Sequence, residues 1–144
     1  MKFLEGYGSL AGRAALGSIF IASGFGKLAG LEGTASLLAS TGLPESITLA
    51  MALGVTELVG GLMLFAGLRT RAAALALAFT LVPATFLFHH PFGVAGEDAH
   101  LRHAHALQNL AIAAGLVTVA TWGAGPLSLD AERDRWRRSL ESAI

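Results

Sequence analysis

The sequence predicts an all-α integral membrane protein, with four spanning helices of alternating direction and an amphipathic helix after them. Three observations carry this. The 144 residues are 53% hydrophobic and only 14% charged, against roughly 25% charged in ordinary soluble domains. Residues 14–26, 72–96 and 103–129 hold no Asp, Glu, Lys or Arg, and residues 46–68 hold a single one, Glu57. The arginines collect at the edges of these stretches and in the C-terminal tail. Ten basic and ten acidic side chains cancel, which gives no reason to expect a nucleic-acid partner. The absence of cysteine excludes disulfides, thiol redox chemistry and thiolate metal sites.

A bilayer core of about 30 Å takes roughly 20 mostly apolar residues per helix. The spans therefore fall near 9–28, 46–67, 71–89 and 103–122, giving a membrane domain over residues 1–127 and a tail over 128–144. The first span is read as retained rather than as a cleaved signal. Lys2 is followed by Glu5, the apolar run starts late, at Ala14, and removal would leave an odd number of helices. The second span carries Glu57 eleven residues after Ser46, about 16 Å deep. Ionised side chains at a helix centre cost about 2.5–3.5 kcal/mol on insertion scales. The nine Leu, Ile, Val and Phe residues of 46–66 return about 3–5 kcal/mol. Such a span is marginal alone, so Glu57 must face other helices and be protonated or partnered.

The third span, "RAAALALAFTLVPATFLF" (Arg71–Phe88), has no polar face beyond its first residue and two threonines, as contact with lipid on several sides requires. Pro83 frees a backbone carbonyl one turn earlier. The fourth span carries Gln108 and Asn109 near its start. Gly17, Gly24, Gly54, Gly61 and Gly115 are small positions of the kind that let membrane helices approach closely.

Basic residues set the orientation. Lys2 and Arg13, then Arg69 and Arg71, then Arg133, Arg135, Arg137 and Arg138 fall on one side, so both termini are expected in the cytoplasm. Arg13 and Arg71 are expected to snorkel to lipid phosphates. The segment Glu32–Pro44 is expected to lie along the interface on the other side. The tail, "SLDAERDRWRRSLESAI", opens with Ser128 and Asp130 as candidate caps. Leu129, Trp136, Leu140, Ala143 and Ile144 form one stripe flanked by arginines, which reads as a cytoplasmic surface helix. It serves as a topology anchor or as a docking element for a partner.

Five segments occur in an order that resembles the DoxX family of bacterial membrane proteins: "GRAALGSIFIASGFGKL", "ELVGGLMLFAGLRTRAAALAL", "FLFHH", "QNLAIAAGL" and "GAGPLSLD", over about residues 10–130. The resemblance implies a left-handed, antiparallel four-helix bundle, multi-pass in the plasma membrane. It implies function loosely, since some relatives are associated with quinone-linked or thiol-linked oxidoreductases. The family often has Lys-Asn where this chain has Gln108-Asn109, so a basic group is missing from the fourth span.

Polar groups at the non-cytoplasmic half form the candidate binding set: Lys27, Glu57, His89, His105, Gln108 and Asn109. His105 is three residues before Gln108 and four before Asn109, which places the three on one side of a helix. They form either a register-fixing hydrogen-bond network or a ligand pocket, and ionisable groups inside a membrane point first to function. All five histidines lie between His89 and His105. His100 and His103, with Glu97 and Asp98, are candidate metal ligands. The alternative is an ordinary solvated loop, because His-x-x-His-x-His is not a specific pattern.

Two functional classes remain. One is a membrane subunit of a quinone-linked oxidoreductase system, holding a quinone or quinol in the polar pocket. It shows no redox-centre motif of its own and so needs a redox enzyme or another membrane subunit as partner. The other is a non-catalytic scaffold or assembly protein, or a small-ligand carrier.

Overall fold

The computed structural model describes residues 2–89 and 98–143. Among them there are six helices and no strand: α1 (Lys2–Ala29), α2 (Leu31–Ser40), α3 (Ile47–Ala66), α4 (Thr70–His89), α5 (Asp98–Trp122) and α6 (Leu129–Glu141). Three stretches are long and apolar enough to cross a bilayer: Ile47–Ala66, Thr70–Leu87 and His103–Trp122. A fourth crossing is supplied if α1 and α2, which meet at 98°, count as one bent span. The segment expected to lie along the interface is thus largely a helix, α2. It packs on α3 through Ala35, Leu38 and Ala50, with Leu31, Leu43, Leu49 and Leu53 around them.

Local chemistry sets the helix ends. Ser46 caps α3 by accepting a hydrogen bond from Leu49 N–H at 3.2 Å. Gly67, at φ 72°, ends α3 in the left-handed conformation, with Leu68 N–H bonded back to the Met63 carbonyl at 2.9 Å. Arg69 also has positive φ, 43°. This lets three residues reverse the chain before α4 begins.

The closest helix contact is a glycine seam between α1 and α3. A Cβ on Gly17 would stand 2.8 Å from the Gly61 carbonyl oxygen, and one on Gly24 would stand 2.7 Å from that of Gly54. As the α1 position advances the α3 position falls, so the two helices run in opposite directions. Close backbone approach through small residues is how helices gain dispersion energy where lipid removes the hydrophobic drive. Gly115 has only ordinary contact, with Leu16. The core joins four helices through Phe20 (α1), Leu64 (α3), Ala74 and Leu77 (α4), and Leu116 (α5). Large apolar side chains outside it, such as Phe79, Leu107 and Leu110, are exposed, as lipid-facing residues are.

Arg13 departs from expectation. Instead of snorkelling, it is 1% exposed. Its guanidinium donates to the carbonyls of Leu64 (3.0 Å), Phe65 (3.2 Å) and Leu127 (2.7 Å). The last turn of α3 leaves carbonyls without intrahelical partners, and Arg13 supplies donors to them. Ser128 and Asp130 are both caps, but of different helices. Ser128 Oγ accepts from Ala131 N–H at the start of α6. Asp130 accepts from Arg69 N–H (2.7 Å), Thr70 N–H (2.9 Å) and Thr70 Oγ1 (2.8 Å), and so caps α4 from a distant part of the chain. Burial pushes the Asp130 carboxyl up. The Thr70 and Arg69 hydrogen bonds and the Arg13 charge outweigh that and hold it below the ordinary carboxylate value. α6 buries no residue. Leu129, Trp136 and Leu140 of its stripe are exposed, and Ile144 lies outside the described residues.

Candidate functional site

At the α2 end, the helices enclose a cavity of about 440 Å³ lined from all of α1–α5. Its charged wall arises from helical spacing. Lys27 is four residues after Ser23, so the two share a face of α1. Lys27 Nζ donates to Ser23 Oγ at 2.7 Å and to the Glu57 carboxylate at 2.6 Å. Glu57 sits mid-helix in α3 with its side chain 13% exposed, against 30% for Lys27. Thr34 ties the start of α2 to the end of α1 by donating to the Gly30 and Lys27 carbonyls. On the far side Asn109 Nδ2 donates to Thr85 Oγ1 at 3.0 Å, and Thr85 donates in turn to the Leu81 carbonyl. Phe20, Leu38, Leu53, Leu81 and Ile112 supply apolar walls. Glu57 Oε1 and Asn109 Oδ1 take no hydrogen bond from any described residue, so each has acceptor capacity to spare.

Asn109 also borders a second cavity of about 350 Å³ between α4 and α5, lined by Val82, Phe86, Leu107 and Leu110 among others. Asn109 lines both cavities, and its partner Thr85 lines the second. The first cavity holds the Lys27–Glu57 pair, and the second is an apolar groove between α4 and α5.

The structure brings together Lys27, Glu57 and Asn109 from the predicted set. Gln108 and His105 of that set do not line the cavity. Gln108 is exposed and does not line the cavity, because one residue is a rotation of about 100° around a helix. His105, one turn before Asn109, is exposed and does not line it either. The side chain of His89 lies outside the described residues. His100 and His103 are exposed, and His103 borders the α4/α5 groove. Glu97 and the side chain of Asp98 lie outside the described residues, and no group of three metal-ligating side chains is found among those described. Sequence reasoning missed Ser23, Thr34, Thr80 and Thr85. Ser23 was detectable from its spacing to Lys27, whereas the Thr85–Asn109 pairing depends on how α4 and α5 pack.

The DoxX family model matches residues 8–90. The chain is 35% identical over 131 residues to "Inner membrane protein YqjF" of Escherichia coli (strain K12), covering 90% of this chain and 95% of that protein. It is 30% identical over 121 residues to "Inner membrane protein YphA" of the same organism, covering 84% and 86%. It is 39% identical over 77 residues to "Putative oxidoreductase CatD" of Bacillus subtilis (strain 168), covering 54% and 56%. No solved structure matches the chain.

Proposed function

The chain belongs to the DoxX family of membrane proteins, and on that premise we propose that it is the quinone-binding membrane subunit of an oxidoreductase system. The observation that carries this reading is the cavity between the Lys27–Glu57 pair and Asn109, with a second, apolar groove between α4 and α5 that shares Asn109 in its lining. A quinone is a flat apolar ring with two carbonyl oxygens and a long apolar tail. Its volume suits a pocket of this size, with few polar groups set in apolar walls. Lys27 donates to one ring oxygen. Glu57 takes a proton from the quinol hydroxyl or returns one to the quinone, and Asn109 Oδ1 accepts from the second hydroxyl. The tail leaves along Val82, Phe86 and Leu110. Oxidation of a quinol releases two electrons, which pass to a partner redox protein, and two protons, one taken by Glu57 and the other released to water. The relative named a putative oxidoreductase is consistent with this chemistry.

In the membrane we place the chain as an antiparallel four-helix bundle, with the α1–α2 pair as the first span. We place it in the bacterial plasma membrane, where the names of two relatives place them. The arginine distribution puts both termini in the cytoplasm. Ala95→Cys should then react with an impermeant thiol reagent on intact cells, and Ser142→Cys only after permeabilisation. The opposite pattern inverts the topology.

The function is tested by mass spectrometry of small molecules retained after mild detergent purification, on the parent and on Glu57→Leu. The expected result is a quinone in the parent and its loss from a variant that remains folded. Equal retention by Glu57→Leu, or no quinone in the parent, refutes the pocket and leaves the pair as a device that fixes helix register.

A further inference from the structure

At the opposite end, a cavity of about 630 Å³ lies between the start of α4, the end of α5 and α6. Four guanidinium groups line it. Arg69 and Arg71 come from the turn into α4, and Arg133 and Arg137 come from α6. Arg133 and Arg137 are four apart and share one helix face with Asp130 and Asp134. Asp130 anchors that face to the start of α4, which brings both pairs of arginines to one pocket.

Among the described residues the charges of these four arginines have no ion-pair partner. Among the described residues none of the four arginines has a carboxylate oxygen within 4.0 Å, and the ion pair formed is Lys27–Glu57. Asp130 is committed to the Arg69 and Thr70 N–H groups and to the charge of Arg13. That leaves Asp134 as the other carboxylate of the pocket against four cations. Arginine's planar fork matches phosphate oxygens two at a time.

The surroundings select the source of the phosphate. Arg71 opens a stripe along α4 whose next members at four-residue spacing are Leu75 and Phe79, the latter 80% exposed. Trp122, 82% exposed at the end of α5, stands at the rim of the pocket, where tryptophan marks the membrane interface. A free anion has no use for such a strip. A lipid places its phosphate among the arginines and its acyl chain along Leu75 and Phe79. We propose that this pocket is a specific site for the phosphodiester headgroup of an anionic phospholipid, formed only when α6 is docked on α4.

The test is a titration of the full chain in detergent with phosphatidylglycerol, phosphatidylcholine or inorganic phosphate, read by native mass spectrometry and by thermal unfolding. Phosphatidylglycerol should bind and raise the unfolding temperature, and neither phosphatidylcholine nor inorganic phosphate should match it. Near a membrane surface each arginine contributes about fivefold to binding of an anionic lipid. Arg71→Gln with Arg137→Gln should therefore weaken phosphatidylglycerol binding about 30-fold. If the double variant does not fold, each single substitution should weaken it about fivefold. Unchanged binding in folded variants, or equal binding of phosphatidylcholine, overturns the site. Equal stabilisation by inorganic phosphate overturns its assignment to a lipid.

Discussion

The two ends of the helices both hold ionised groups away from solvent, but they treat them differently. At the end carrying α6, Arg13 donates to three backbone carbonyls and Asp130 accepts from two backbone N–H groups and a hydroxyl. Each of these charges is consumed in closing a turn, a helix end or a loop. At the α2 end, Lys27 and Glu57 answer each other on one wall of a cavity, and Glu57 Oε1 takes no hydrogen bond from any described residue. Burial of a charge is therefore not in itself a sign of function. What sets the Lys27–Glu57 pair apart from Arg13 and Asp130 is acceptor capacity that no described residue takes up, facing a space large enough for a ligand.

Arg13→Met should give the largest effect, since it removes the guanidinium donors of the Phe65 and Leu127 carbonyls and leaves the Leu64 carbonyl with only the Gly67 N–H. A loss of about 3–5 kcal/mol is expected in reversible unfolding in detergent micelles. A loss under about 1 kcal/mol would show that water or lipid satisfies these carbonyls.

The cavity pair should behave otherwise. Lys27→Met leaves Glu57 without its countercharge and should cost about 1–3 kcal/mol. Adding Glu57→Leu should restore stability to within about 1 kcal/mol of the parent, because two apolar side chains often replace a buried pair without loss. Failure of the second substitution to rescue the first would mean that the carboxylate, like Arg13, serves the backbone.

Asp130→Asn tests the terminal lock through pH. The Asp130 carboxyl is held below its ordinary value, so its contribution is fully present above about pH 4. That contribution fades as pH falls through the lowered folded value. The parent should lose stability on acidification in that range. The variant should start about 1–2 kcal/mol lower at neutral pH and show a shallower acid loss. Parallel curves would remove the linkage.

The smallest effect is expected at the histidines. Replacing His100 and His103 with Ala should leave unfolding within about 0.5 kcal/mol of the parent, as exposed substitutions do. Metal analysis of the purified protein reads the other possibility, and bound metal in the parent that falls in the variant would make the start of α5 a metal site.

The sequence by itself determined where the helices run and what kind of solvent surrounds them. Charge-free stretches of about 20 residues leave few alternatives in a bilayer. Ser46 and Gly67 mark the ends of α3 by chemistry local to a few residues. It also determined that Glu57 needs a partner or a proton, since one carboxylate in an apolar span is costly. Only the tertiary structure decided the rest. Helical rotation puts Asn109 in the cavity and Gln108 outside it, and a pattern of spacings does not fix a helix's rotation when lipid accepts apolar residues on every side. α2 became visible as a helix only once Ala35 and Leu38 found Ala50. Arg13 looked like any arginine at a membrane edge. Its burial depends on carbonyls at Leu64, Phe65 and Leu127, residues 51 or more positions away, and no local signal reports which distant carbonyls will pack against it.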